Sequence, residues 1–401
     1  MHNYVALITL ALLILTFGIF SNLSERSPIS GPMFFLGIGL LVGPVGVGLI
    51  DVQLNTDIVQ TLAALTLIII LFVDATLIKF SDLAKILAGI PARLLLIGLP
   101  LTMALGTLIA LFLFPDTNIW ALAMLALILS PTDAALGQAV VKSEAVPSRI
   151  KESISIESGL NDGLALPPIL LCIAVLASGG SAITGDGYWL MFLAKQLTIG
   201  PVLGAFVGYT GGKIIDYATN QNWMSSIFHQ LSAIALALLA YAFAEMFHGN
   251  GFIATFFAGL MLGSKIPIVR ERVQEFGEAQ GQLLSLIIFF LLGISVHRFY
   301  PHWDINSLIY AILSLTAIRI LPVFFALAGT ELNFYSKLFI GWFGPRGIAS
   351  ILYMLVVISS LGVTGYEKLL SIVALTVLIS TFVHGLSAAV MSKHFTQDKK
   401  A

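Results

Sequence analysis

Long apolar runs, each closed by Gly, Pro or a cluster of charge, divide the chain into thirteen candidate spans. Their approximate limits are residues 4–21, 29–50, 57–78, 90–114, 119–141, 150–178, 187–212, 228–248, 250–263, 282–298, 305–328, 336–361 and 366–391. In lipid an α-helix is the only single segment that satisfies its own backbone, so each run is read as a helix and the chain as an all-α integral membrane protein. The ninth run is too short to cross unaided. The stretch from Ile266 to Gly281, with Arg270, Glu271, Arg272, Glu275 and Glu278, is expected to form a separate cytoplasmic surface helix.

The basic residues test this count. Segments after odd-numbered spans carry Arg26; Lys79, Lys85 and Arg93; Lys142, Arg149 and Lys151; Lys213; Lys265, Arg270 and Arg272; and Lys337. With Lys393, Lys399 and Lys400 in the tail they number fifteen, against two, Arg298 and Lys368, on the other side. That bias puts the odd-numbered connections inside, the N-terminus outside and the C-terminus in the cytoplasm. Short loops and a tail of about ten residues past Met391 leave no room for a soluble nucleotide-binding or regulatory domain. The first run lacks a basic n-region and a cleavage site, so it is read as a retained helix. A prokaryotic inner membrane is the expected location.

Composition adds little beyond the class. The 401-residue chain is 58% hydrophobic and 10% charged, where soluble domains have about 25% charged residues. Net charge is −1 and no basic run suggests nucleic acid. The single cysteine, Cys172, has no disulfide partner and no Cys/His metal spacing around it. No cofactor is expected.

Charge inside the spans is what changes the picture. The sixth span contains Glu157-Ser158-Gly159-Leu160-Asn161-Asp162-Gly163, and on a helix Glu157 stacks with Asn161 and Ser158 with Asp162. Counted from the span ends, Asp133, Asp162, Arg319 and Arg346 fall near mid-membrane, with Glu157 about a turn and a half nearer the cytoplasm. Five unrelated charges there would cost roughly 12–18 kcal/mol on insertion scales, so pairing and water must lower the cost. Glu157 with Arg319 reads equally as a structural ion pair. Asp162 is read as functional.

Two of these spans look interrupted, at Leu129-Ser130-Pro131-Thr132-Asp133 and at Phe343-Gly344-Pro345-Arg346-Gly347. A mid-helix proline removes a donor and clashes with the preceding turn. The two prolines stand 214 residues apart, about half the chain, which points to a transporter built from inverted repeats. Half-helix ends offer carbonyls to cations and amides to anions. Thr132 is expected to supply oxygens at the first break, and Arg346 to offset the dipoles at the crossing. Asp74 reads as an interfacial or entry-funnel residue, Lys195 as a snorkelling one, and Glu245 with His248 as the outer close of the eighth span. His229 and His384 are isolated along the chain and are not assigned as ligands.

A hard monovalent cation prefers oxygen ligands, and Asp162, Asp133, Ser158 and Thr132 could provide them around one cavity. Burial favours a protonated carboxylate while a nearby cation expels the proton, so one aspartate can hold either but not both. With Glu157 matched by Arg319 and Asp133 near Arg346, Asp162 carries one exchangeable charge, and exchange of one cation for one proton is electroneutral.

These residues resemble a known family. Ser130-Pro131-Thr132-Asp133, Glu157-Ser158-Gly159-Leu160-Asn161-Asp162, Arg319 and Gly344-Pro345-Arg346-Gly347 look like the monovalent cation:proton antiporters of the NhaP/NHE type, over essentially the whole chain. The Asn161-Asp162 pair resembles the electroneutral branch; the electrogenic branch has two aspartates there. The resemblance implies an NhaA-like antiporter fold with thirteen transmembrane helices, inverted repeats and two broken crossing helices. It implies Asp162 as the alternating carrier, with Asp133, Thr132 and Ser158 around the ion. It further implies Glu157 paired with Arg319, Asn161 orienting the site and Arg346 steadying the crossing. A homodimer is implied too, in which residues 90–178 and 305–391 move as an ion-binding bundle against a scaffold of 4–78 and 228–298, with 187–212 as a linking helix. The long regulatory tails of many relatives have no counterpart, so calmodulin-type or nucleotide control is not expected.

The leading expectation is a sodium (or lithium):proton antiporter, with potassium:proton exchange as the alternative because the ligand types do not select ion size. A cation channel ranks lower, since no filter-like repeat is present. An intramembrane hydrolase using Asp133 and Asp162 ranks last, and the chain is not expected to be an enzyme.

Overall fold

The computed structural model describes residues 2–25, 29–54, 56–76, 89–133, 136, 140, 143, 145–179, 188–265, 267–392 and 395. Among the described residues every regular element is helical, and eight helices are long and apolar enough to cross a membrane. The elements follow the apolar runs closely. They are α1 His2–Glu25, α2 Gly31–Val42, α3 Asp57–Thr76, α4 Ile90–Leu113, α5 Ile119–Ile128, α6 Ser148–Ala177, α7 Tyr188–Asn220 and α8 Ser226–Met246. After these come α9 Gly251–Lys265, α10 Pro267–Phe299, α11 Ile305–Leu315, α12 Ala317–Ala326, α13 Phe334–Trp342, α14 Ile348–Leu361 and α15 Glu367–Ser392.

Two departures from the expected boundaries have physical causes. The separate surface helix expected over residues 266–281 is continuous with the tenth span, because nothing after Pro267 breaks α10 and lone glycines such as Gly277 and Gly281 are tolerated in a helix. The eleventh span is divided at Thr316, whose φ of −120° and ψ of −96° end α11 and start α12. No Pro or Gly marks that break in the sequence. α4 also carries a π-helical stretch over Leu94–Gly98.

The chain forms two compact units. The first comprises Met1–Gln60, Ile90–Ser158 and Leu284–Ala401; the second comprises Thr61–Gly89 and Gly159–Leu283. In the first, Gly39 of α2 lies against the backbone of Phe290 and Gly293 on α10, an approach that any Cβ would block. Aromatic packing of Phe339, Phe343 and Phe395, with ring centroids 4.5–4.9 Å apart, closes one end. In the second unit the stripe Gly200, Gly204 and Gly208 on α7 meets α9 at Asn250, Ala254 and Ala258, backbone on backbone. Such small-residue seams are how helices associate where no hydrophobic drive separates them from lipid.

Candidate functional site

The site is built where α5 and α13 stop short of full spans. Pro131 cannot continue α5, and Pro345 cannot be approached helically from α13, so the residues around each lie outside any helix. The two non-helical segments meet: the Asp133 amide donates to the Pro345 carbonyl at 2.8 Å. Each break leaves helix-end groups that a membrane interior cannot hydrate, and the neighbouring side chains satisfy them one by one.

At the C-terminal end of α5, Ser130 Oγ donates to the Ala126 carbonyl at 2.6 Å and Ser350 Oγ to the Ile128 carbonyl at 2.8 Å. Arg346 Nη1 donates to the carbonyls of Ser130 at 2.8 Å and Pro131 at 3.2 Å. A guanidinium thus sits at the negative end of the α5 dipole, the stabilising arrangement. At the N-terminal end of α14, the Ile348 amide donates to Asp133 Oδ2 at 2.7 Å, placing a carboxylate at the positive end. Gly347 is required there, because any Cβ would run into the Asp133 carboxylate. Gly344 likewise lets the segment lie against Arg319 and Thr132.

The expected proximity of Asp133 to Arg346 is realised through the crossing itself, each charge turned to a half-helix end. Both are buried, Asp133 at 4% exposure and Arg346 at 0%.

Beside the crossing, Glu157 on α6 and Arg319 on α12 form a bidentate pair, with Nη1–Oε1 at 2.6 Å and Nη2–Oε2 at 2.7 Å. Their side chains are 2% and 1% exposed. Arg319 stands in the first turn of α12, where the helix dipole disfavours a cation. The carboxylate offsets this. The pair expected from charge counting is present with fork-to-fork geometry.

One residue further along α6, Ser158 Oγ lies 2.9 Å from Thr132 Oγ1, both buried. Two hydroxyls from α6 and from the α5 break thus stand side by side within the first unit. Asn161 and Asp162 follow one turn later on α6, past the point where the chain enters the second unit, and are buried at 0% and 6% exposure. Among the described residues no group of three or more His, Cys, Asp or Glu could hold a metal ion in the manner of a resident centre. The oxygens present are those of hydroxyls, carbonyls and carboxylates.

Ser130, Ser350, Ser380 and His384 went unassigned in the sequence. Ser380 Oγ accepts the Arg346 amide at 2.7 Å, and His384 Nδ1 lies 3.2 Å from Ser380 Oγ. His384 is thus not isolated in the fold, and its signal was the four-residue spacing from Ser380 inside an apolar span. Of the lower-ranked residues, Lys195 is exposed on α7, in keeping with a snorkelling role. Glu245 caps α9 by accepting the Gly251 amide at 2.8 Å.

Comparison with known proteins gives the family. The model of the family described as sodium/hydrogen exchanger, transmembrane, matches residues 10–394. The K(+)/H(+) antiporter NhaP of Alkalimonas amylolytica is 27% identical over 328 residues, covering 80% of this chain and 55% of its own. The K(+)/H(+) antiporter NhaP2 of Shewanella sp. (strain ANA-3) is 24% identical over 373 residues, 92% of this chain and 63% of its own. The Na(+)/H(+) antiporter of Schizosaccharomyces pombe is 27% identical over 281 residues, 65% and 59%. The chain spans less than two thirds of the length of these relatives. The fold matches that of the sodium proton antiporter MjNhaP1 from Methanocaldococcus jannaschii with a TM-score of 0.78 at 20% identity, covering 98% of this chain and 99% of that one. With the family model matched over residues 10–394, the chain belongs to the sodium/hydrogen exchanger transmembrane family, the NhaP/NHE type that its four motifs resemble.

Proposed function

We propose that the protein is a sodium (or lithium):proton antiporter exchanging one cation for one proton across a prokaryotic cell membrane. Asp162 carries either the proton or the cation, and Asp133, Thr132 and Ser158 furnish further oxygens to the ion. The observation that carries this reading is the buried Thr132–Ser158 hydroxyl pair, 2.9 Å apart, one helical turn before a buried aspartate on the same helix. Hydroxyls suit a cation whose hydration shell must be replaced by weak, neutral oxygens if it is to be released again. Glu157 is neutralised by Arg319 and contributes no exchangeable charge, which supports the electroneutral stoichiometry.

In this reading the chain crosses the membrane thirteen times as inverted repeats with its N-terminus outside. Residues 90–178 and 305–391 move as the ion-binding bundle, a scaffold of 4–78 and 228–298 joins two copies in a homodimer, and 187–212 links the parts. Asn161 orients the carrier and Arg346 steadies the crossing.

Exchange measured ion by ion in proteoliposomes, with the membrane potential clamped, tests the proposal. Sodium- or lithium-driven proton movement that is indifferent to the potential and lost in Asp162→Asn is the expected result. Exchange near wild type in that variant refutes the carrier assignment, and voltage dependence refutes the stoichiometry. Potassium:proton exchange is the second reading, favoured by the names of the Alkalimonas and Shewanella relatives. The potassium arm of the same experiment decides between them.

A further inference from the structure

The segment between α13 and α14, residues 343–347, is buried outside any helix, and past Phe343, whose amide still bonds to the Phe339 carbonyl, its N–H groups have no intrahelical i−4 partner. The Gly344 amide turns back to the Trp342 carbonyl at 2.8 Å, and the Ile348 amide is held by Asp133. The Arg346 amide is held from α15, by Ser380 Oγ at 2.7 Å.

The hydroxyl that accepts this amide has a second neighbour on α15. The His384 ring nitrogen Nδ1 lies 3.2 Å from Ser380 Oγ and 3.1 Å from the Ser380 carbonyl. With the proton on Nδ1, the ring donates to the Ser380 carbonyl and shares that proton with Ser380 Oγ, so one hydroxyl oxygen is held between the His384 ring and the Arg346 N–H. The ring is fixed in turn by Trp342, whose centroid is 5.0 Å away, and Trp342 Nε1 donates to Ser387 Oγ at 3.0 Å. Ser380, His384 and Ser387 recur at i, i+4 and i+7, so α15 presents one polar stripe against the end of α13 and the break.

We propose that Ser380 and His384 are positioning residues for the crossing. They fix the Arg346 peptide, so that its guanidinium meets the Ser130 and Pro131 carbonyls and the adjoining Asp133–Thr132 segment keeps its place. The effect on transport rests on the antiport reading; the effect on the Arg346 peptide does not.

Two measurements on the full-length protein test this separately. Deuterium uptake by the peptide spanning residues 343–349 is expected to quicken about five- to tenfold in Ser380→Ala and in His384→Leu, the loss of roughly one hydrogen bond. His384→Asn, which places an amide N–H near the position of Nδ1, is expected to restore slow uptake. His384→Gln, whose amide reaches toward the Nε2 position, is not. The thermal midpoint of each variant in detergent is read alongside, and uptake by α7 and α9 is expected to stay at the wild-type level. In proteoliposomes the same order should hold for the exchange rate, with Asn above Gln and Leu. Uptake at 343–349 unchanged in Ser380→Ala, or Gln and Asn behaving alike, overturns the proposal. Altered uptake without any cation:proton exchange in the wild type would sink the antiport reading and leave the positioning role standing.

Discussion

Replacing Glu157 by Gln removes one charge and almost no volume, and it strands Arg319. The guanidinium is 1% exposed and cannot shed its proton, so nothing in the variant relieves the buried charge. At the roughly 4 Å that separates charge centres in a fork-to-fork pair, the attraction forgone is about 4 kcal/mol at an effective dielectric near 20. Breaking a buried pair from one side costs about 3–5 kcal/mol in proteins generally, which agrees. Replacing both partners together, Glu157→Met with Arg319→Met, removes the desolvation cost along with the attraction and should bring stability back to within about 1 kcal/mol of wild type. The assay is thermal unfolding of purified protein in detergent, followed by tryptophan fluorescence, for wild type, both single variants and the double. The expected pattern is a large fall for Glu157→Gln and recovery in the double. A loss below about 1 kcal/mol for Glu157→Gln is what a solvated pair would give, and it would refute the burial of this one. A double variant as unstable as the single would show that the pair does more than neutralise itself.

Three further outcomes follow from the same geometry. Thr132→Val and Ser158→Ala each remove one hydroxyl from the buried pair, and each is expected to raise the apparent KM for the cation about fivefold to tenfold, roughly one hydrogen bond's worth, in a proteoliposome exchange assay; an unchanged KM in both would take the hydroxyls out of the ion's shell. Gly347→Ala drives a methyl into the Asp133 carboxylate and should cost about 1–3 kcal/mol in thermal unfolding while lowering exchange. On the loop before α11, partial burial pushes the Asp304 carboxyl up, but hydrogen bonds from Lys368 and Ser307 outweigh it and hold the group down at about 2, from 3.8. Its contribution is therefore fully present above pH 3.8 and lost as pH falls toward 2, so Asp304→Asn should flatten the acid limb of the stability profile below pH 4 and leave its shape between pH 5 and 8 unchanged.

The apolar runs located the helices well, because a segment that must satisfy its backbone in lipid has little choice of structure. What they could not mark is a break made without proline or glycine. Thr316 ends α11 in a conformation no residue type advertises, and its consequence is specific: Arg319 becomes a first-turn residue of a short helix rather than a mid-helix charge. Its pairing with Glu157 was legible from charge matching at similar depth, since two lone opposite charges in a membrane must find each other. The hydrogen bonds of Ser350 and Ser380 were not legible. A serine in an apolar span most often bonds its own helix, and nothing in the chain order says which one turns outward to a broken neighbour.

The crossing shows why depth alone was an incomplete guide to pairing. Counting charges by depth set Asp133 beside Arg346 as if they were ions in a common medium. Both contact backbone groups, Arg346 the Ser130 and Pro131 carbonyls just past α5 and Asp133 the first amide of α14. Each such contact contributes up to about 2 kcal/mol in partly buried settings, and leaving the helix end bare in lipid would cost more. A proline break in a membrane thus creates a demand for charge of one sign at each half-helix end, and two breaks facing each other create both demands in one place. An acid next to the first break and a base next to the second meet them crosswise: the base that follows Pro345 caps the helix ending before Pro131, and the acid that follows Pro131 caps the helix starting after Gly347. Swapping the charges, Asp133→Arg with Arg346→Asp, keeps the pair but reverses both caps. If dipole capping is what the two residues do, the swapped protein should be far less stable than wild type, whereas a simple ion pair would survive the exchange.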